Sequence, residues 1–166
     1  MGFWSSLFKS KEPEGLRLEG EYFWEITCPK NSVNFFKSLL DLFSSDHVLY
    51  LEGGDKDLYE NYLANRGSNY KAPIALGTIW PKPHIAHLPL TKDNSQYLIA
   101  LLENEGFVEP QICIHLHVYR DNKVFLQWYD AFDDPILLSE EIDEGLVKVI
   151  CKNIDSTYRR IEMRNA

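Results

Sequence analysis

The chain has 166 residues, of which 45% are hydrophobic and 13% aromatic. That is enough apolar material for one packed core, too little length for two comfortable domains, and the wrong composition for disorder. A formal net charge of −8 argues against nucleic acid as a partner, because a phosphate backbone must be met by clustered Lys and Arg.

Residues 1–15 read as a mobile or loosely packed leader, and 16–166 as a single domain. In the leader, Met1-Gly2 through Ser6 matches the N-myristoylation pattern, and Phe3, Trp4, Leu7 and Phe8 supply an apolar edge. A loose leader accounts for the same residues without a lipid, and that reading is preferred. Residues 17–27 (RLEGEYFWEIT) carry β-favouring aromatics and predict a strand that Pro29 ends. Asn31 or Ser32 then caps a helix whose Phe36, Leu39, Leu40 and Phe43 fall on one face. HVLYLE, 47–52, predicts a strand closed by Gly53-Gly54, and Asp55 caps a second helix that runs to Gly67.

IALGTIW, 74–80, reads as a strand, and Pro81, Pro83 and Pro89 then hold an extended, exposed path. Asp93 or Asn94 caps a helix that buries Leu98, Leu101 and Leu102. A hairpin over 113–130 follows, then AFDDPILLS as a loop. Ser139 or Asp143 opens a long C-terminal helix on the stripe Ile142, Leu146, Val149, Ile150, Ile154, Tyr158 and Ile161. The pattern predicts an α+β two-layer sandwich: a mostly antiparallel sheet of about five strands, helices packed on one face, and a long C-terminal helix. The early β-α-β order leaves a partly parallel sheet open.

Alternation settles the hairpin register. Leu116 and Val118 share an apolar face and pair with Trp128 and Leu126, while His115 and His117 lie opposite Tyr129 and Gln127 on the other face. The two imidazoles stand roughly 7 Å apart by strand rise, so they could chelate a metal with His84 or His87 as third ligand. Metal sites need three or four ligands with supporting partners, and a His-x-His alone does not supply them. The reading preferred is an ordinary solvated sheet face with no metal and no cofactor. A metal-dependent or acid–base enzyme using His115 and His117 with His84 or His87 is the alternative. Phosphate-loop, dinucleotide and nucleophile-elbow patterns are absent from the sequence.

The most directional feature is acidic. Asp130, Asp133, Asp134, Glu140 and Glu141 run without an intervening Lys or Arg and are interleaved with Trp128, Tyr129 and Phe132. Aromatic anchors among steering charges suit a protein interface. The sequence therefore predicts a small non-catalytic binding protein, docking a basic protein partner as an inhibitor or immunity-type protein would. Peripheral membrane attachment through residues 1–8 is a further alternative. Three scattered cysteines, Cys28, Cys113 and Cys151, make no disulfide framework and fit the cytoplasm. No run approaches the ~20 apolar residues of a membrane span.

Overall fold

The computed structural model of the protein describes residues 15–78 and 80–163. Seven strands form one open sheet: β1 (Tyr22–Ile26), β2 (Val48–Gly53), β3 (His84–Pro89), β4 (His115–Arg120), β5 (Lys123–Trp128), β6 (Ile136–Ser139) and β7 (Tyr158–Glu162). Their spatial order is β3-β2-β4-β5-β6-β1-β7, and every neighbouring pair is antiparallel. The partly parallel alternative does not arise. An isolated parallel bridge joins Leu16 to Ile74 outside the strands.

The helices are α1 (Ser32–Leu42), α2 (Lys92–Glu103), α3 (Glu109–Ile112), α4 (Glu144–Asn153) and an irregular helix, π-type over Leu58–Leu63 and 3-10 over Ala64–Arg66. Short polar side chains start four of them, all but α3, because each satisfies a backbone N–H that the first turn leaves unpaired. Asn31 accepts from Asn34 N at 2.8 Å, Asp55 from Leu58 N at 3.0 Å, and Asp143 from Gly145 N at 2.8 Å. Thr91, rather than Asp93 or Asn94, caps α2. Buried residues of all these helices (Phe36, Leu58, Leu98, Ile112 and Val147) pack with Leu49, Leu51, Leu116, Val118, Leu126 and Trp128 in one core. The helices therefore share one face of the sheet.

Four expectations are corrected. Seven strands replace about five, since AFDDPILLS contains β6 instead of being all loop. The described residues of 74–80 form no sheet strand; the strand lies in the proline segment, as β3, where an edge position needs N–H groups on only one side. The long C-terminal helix is 10 residues, α4, followed by β7. Asp155 takes a left-handed φ of 52° and Ser156 N donates back to Cys151 O at 2.8 Å, which reverses the chain. Tyr158 and Ile161 continued a helical spacing by coincidence.

The fourth correction concerns the face opposite the helices. The hairpin register is as alternation requires, with Leu116↔Trp128, His117↔Gln127 and Val118↔Leu126. Lys123 pairs with Arg120 within the ladder, and an irregularity between Val118 and Tyr119 absorbs the offset. Yet the histidine face is not solvated. A strap, residues 70–78, lies over it beside residues 16–18, joined by Leu16 N→Pro73 O (2.7 Å) and Ala75 N→Leu16 O (3.0 Å). Ala72 and Ile74 of the strap bury against Leu18, Val48, Tyr50, Tyr119 and Val124 in a second core.

Candidate functional site

Between sheet and strap lies a polar layer that the alternating strands build. On β2 the residues facing the strap are Val48, Tyr50 and Glu52, and all three are buried. The Tyr50 hydroxyl donates to Glu52 Oε2 at 2.8 Å. Gly77 N donates to the same oxygen at 3.1 Å and Thr78 N to Oε1 at 2.5 Å. A carboxylate with no exposure thus meets three donors, which is how a buried charge is tolerated. His87, on β3, is bonded through Nδ1 to the Tyr119 hydroxyl at 2.8 Å, and burial pushes its pKa down to about 4.

His115 resembles the centre of a nucleophilic triad until the protons are assigned. Its Nε2 lies 3.0 Å from Thr78 Oγ1, and an Asp130 carboxylate oxygen lies 4.0 Å from Nδ1. However, Asp130 N donates to Nδ1 at 3.0 Å. Nδ1 is therefore an acceptor, and the neutral ring keeps its proton on Nε2, donating to Thr78. A base must accept from its nucleophile; in this state His115 does not. Gly77 is required beside it, because a Cβ there would overlap the His115 ring.

His117 is the odd member. It is 0% exposed, and neither ring nitrogen has a hydrogen-bond partner among the described residues. Tyr50 and Tyr129 meet its ring edge to face at 5.5 and 5.2 Å. Desolvation, with His115 beside it, pushes its pKa down to about 3. His84 is apart from the other three, against Tyr59 at 6.2 Å between centroids. Among the described residues no three His, Cys, Asp or Glu side chains converge on a point that could hold a metal ion. The four histidines do not form the ligand set that the metal-dependent form of the enzyme alternative requires.

The polar layer opens at one end into a cleft of about 920 Å³, whose lining includes Arg17, Thr78, Trp80, His115, Tyr129 and Asp130. Trp80 is 86% exposed, the most solvent-facing of the exposed large hydrophobic residues described. Beside the cleft the 130–134 loop is fixed by its backbone. Asp133 N and Asp134 N both donate to Asp130 O at 3.0 Å, and Ala131 N donates to Ile114 O at 2.7 Å. Trp128 Nε1 donates to Asp134 O at 2.7 Å, and Cys28 Sγ to Phe132 O at 2.9 Å. Asp130 and Phe132 take left-handed φ of 43° and 74°. The carboxylates of Asp130, Asp133 and Asp134 all point to solvent from this held loop.

The residues expected at a partner surface divide. Asp130, Asp133 and Asp134 are exposed together, with half-buried Tyr129 beside them. Trp128 is a core residue with no exposure, its ring meeting Phe35 edge to face and Phe132 at a tilt, at 4.8 and 4.7 Å between centroids; Phe132 is half-buried in the same cluster. Glu140 and Glu141 lie at the other end of β6, about 13 Å away by strand rise. Glu140 accepts from Glu21 N and Tyr22 N at 3.0 and 3.2 Å, and Glu141 pairs with Lys123. Sequence reasoning missed Glu52 and Trp80. Glu52 did leave a signal: it is the one charge in an otherwise apolar strand, on the same alternating face as Tyr50. The myristoylation pattern and apolar edge of residues 1–8 lie outside the described residues.

Among the described residues no helix is long and apolar enough to cross a membrane. All three cysteines are free thiols. No protein-family model, curated protein or solved structure matches the chain.

Proposed function

We propose that the protein is a non-catalytic binding protein that docks a basic protein partner, as an inhibitor or immunity-type protein does. The docking face is the 130–134 loop with the adjoining cleft. The observation that carries this reading is three exposed carboxylates, Asp130, Asp133 and Asp134, on a loop held by backbone hydrogen bonds beside an exposed Trp80. A preformed acidic loop steers a cationic partner without ordering itself at contact. Trp80 and Tyr129 offer aromatic faces to an arriving Arg or Lys, and Asp130 offers the counter-charge. Trp80 takes the anchoring role for which the sequence reading nominated Trp128. No cofactor enters this function, and free thiols support a reducing, cytoplasmic setting.

The test is capture from native lysate followed by binding kinetics on the retained protein. Reversing charge with Asp133→Lys and Asp134→Lys together should slow association about tenfold at low salt, and Trp80→Ala should mainly speed dissociation. A partner whose kinetics ignore all three changes uses another surface and overturns the reading.

A further inference from the structure

We propose that the strap, residues 70–78 with the 16–18 segment beside it, is a pH-sensitive cover that opens when His117 takes up water and a proton. The inference concerns regulation of the docking face just described, and its functional consequence rests on that reading.

The geometry begins with an unmet need. An imidazole carries at least one donor and one acceptor, and His117 satisfies neither while fully buried. Unmade hydrogen bonds inside a protein are costly, and a small opening that admits water restores them. The cover carries few buried side chains of its own, Leu18, Ala72, Ile74 and Ala75, and much of its hold is polar. What holds it is the Glu52 carboxylate on Gly77 N and Thr78 N, the Thr78–His115 bond, Ala72 N and Tyr70 O on the Tyr119 hydroxyl, Leu18 N on Gln127, and the pairing of Leu16 with Pro73 and Ala75.

The titratable and charged groups in the layer around His117 come from every element packed there. They are Tyr50 and Glu52 from β2, His87 from β3, His115 and Tyr119 from β4, Tyr129 beyond β5, and Arg17 and Lys71 from the covering segments. Of the acids near it, buried Glu52 is already committed to the strap, and Asp130 stands at the cleft end, 4.0 Å from His115, with its carboxylate exposed. Under the strap, His117 is held at about 3; in water it returns to its ordinary 6.5. Below that value only the open form binds the proton, so the open fraction should rise about thirtyfold between about pH 7.5 and 5. Thr78 and the neighbouring Trp80 form part of the cleft wall. Opening therefore dismantles the docking face, and acid releases the partner.

The experiment is amide hydrogen exchange on the full chain, corrected for the intrinsic pH dependence, and it requires no partner. Failure of the docking reading therefore leaves its outcome intact. The amides of Ala72, Ala75, Gly77 and Thr78 should lose about thirtyfold of protection over that range, while those of β2 and β4 keep theirs. His117→Leu should remove most of this dependence. Strap protection that follows intrinsic chemistry alone overturns the inference. So does a full thirtyfold dependence that survives in His117→Leu, which assigns the effect to another group such as His87. If that variant does not fold, ring-nitrogen NMR of the natural chain decides. A His117 ring that titrates near its ordinary value while the strap amides stay protected also overturns it.

Discussion

His115 and Asp130 are joined through the backbone, not through the carboxylate. Asp130 N donates to Nδ1 at 3.0 Å, whereas its Oδ1 stands 4.0 Å off. This fixes the tautomer with the proton on Nε2, so ring-nitrogen NMR should show a protonated Nε2 and a bare Nδ1. Asp130→Asn should leave that pattern unchanged, because the main chain makes the bond. A protonated Nδ1 in the natural chain would restore Thr78 as an activated hydroxyl.

Glu52 meets three donors and offers only acceptors in return. Glu52→Gln removes the burden of a buried charge but turns one acceptor into a donor aimed at other donors. The second effect wins because three hydrogen bonds converge there. Urea denaturation should register a loss of about 1–3 kcal/mol. An unchanged midpoint would mean that the strap is held without the Glu52 carboxylate.

Two tryptophans should behave oppositely. Trp128 has no exposure and Trp80 has 86%. Trp128→Ala should cost about 3–5 kcal/mol of stability by opening a cavity in the main core. Trp80→Ala should stay within about 0.5 kcal/mol, as surface changes do. Equal effects in thermal unfolding would place Trp80 in a packed site.

Acid should weaken the fold through histidines before carboxylates. His87 and His117 have folded values of about 4 and about 3 against an ordinary 6.5, so below 6.5 the unfolded chain binds protons that the native chain refuses. Their contribution is fully present above pH 6.5 and is lost as pH falls toward those folded values. At pH 5 the slope should approach two protons, or about 2.7 kcal/mol per pH unit. Denaturation series from pH 7.5 to 5 measure it. A flat profile would show that both rings accept protons within the native fold.

Periodicity carried the local fold far. The stripe in α1, the Asp55 and Asp143 caps, and the inward set Leu116, Val118, Leu126 and Trp128 are all decided by neighbours within a few residues. What covers a sheet face is a long-range fact. Alternation placed His115 and His117 on one side, but nothing near them announces that residues 70–78 return to bury them. Trp128 draws two readings: the register puts it on the core face with Leu116, while its acidic neighbours suggest an interface anchor, and the register prevails. The candidate site was therefore half legible: its carboxylates could be read, while its aromatic wall and buried anchor arrive from segments 50 to 80 residues distant along the chain.

The position of β1 in the sheet sets the order in which the protein can be made. This first strand sits between β6 and β7, paired with Ile136–Ser139 on one side and Tyr158–Glu162 on the other. Both neighbours are more than a hundred residues downstream, and such distant pairings are slow to form. During synthesis β1 leaves the ribosome with Trp24 and Ile26 still in water and waits for β6 and β7 to appear. A fragment ending after β5 lacks both partners of β1, so the N-terminal portion has no finished sheet of its own. β1 therefore joins the sheet only once β6 and β7 can pair with it.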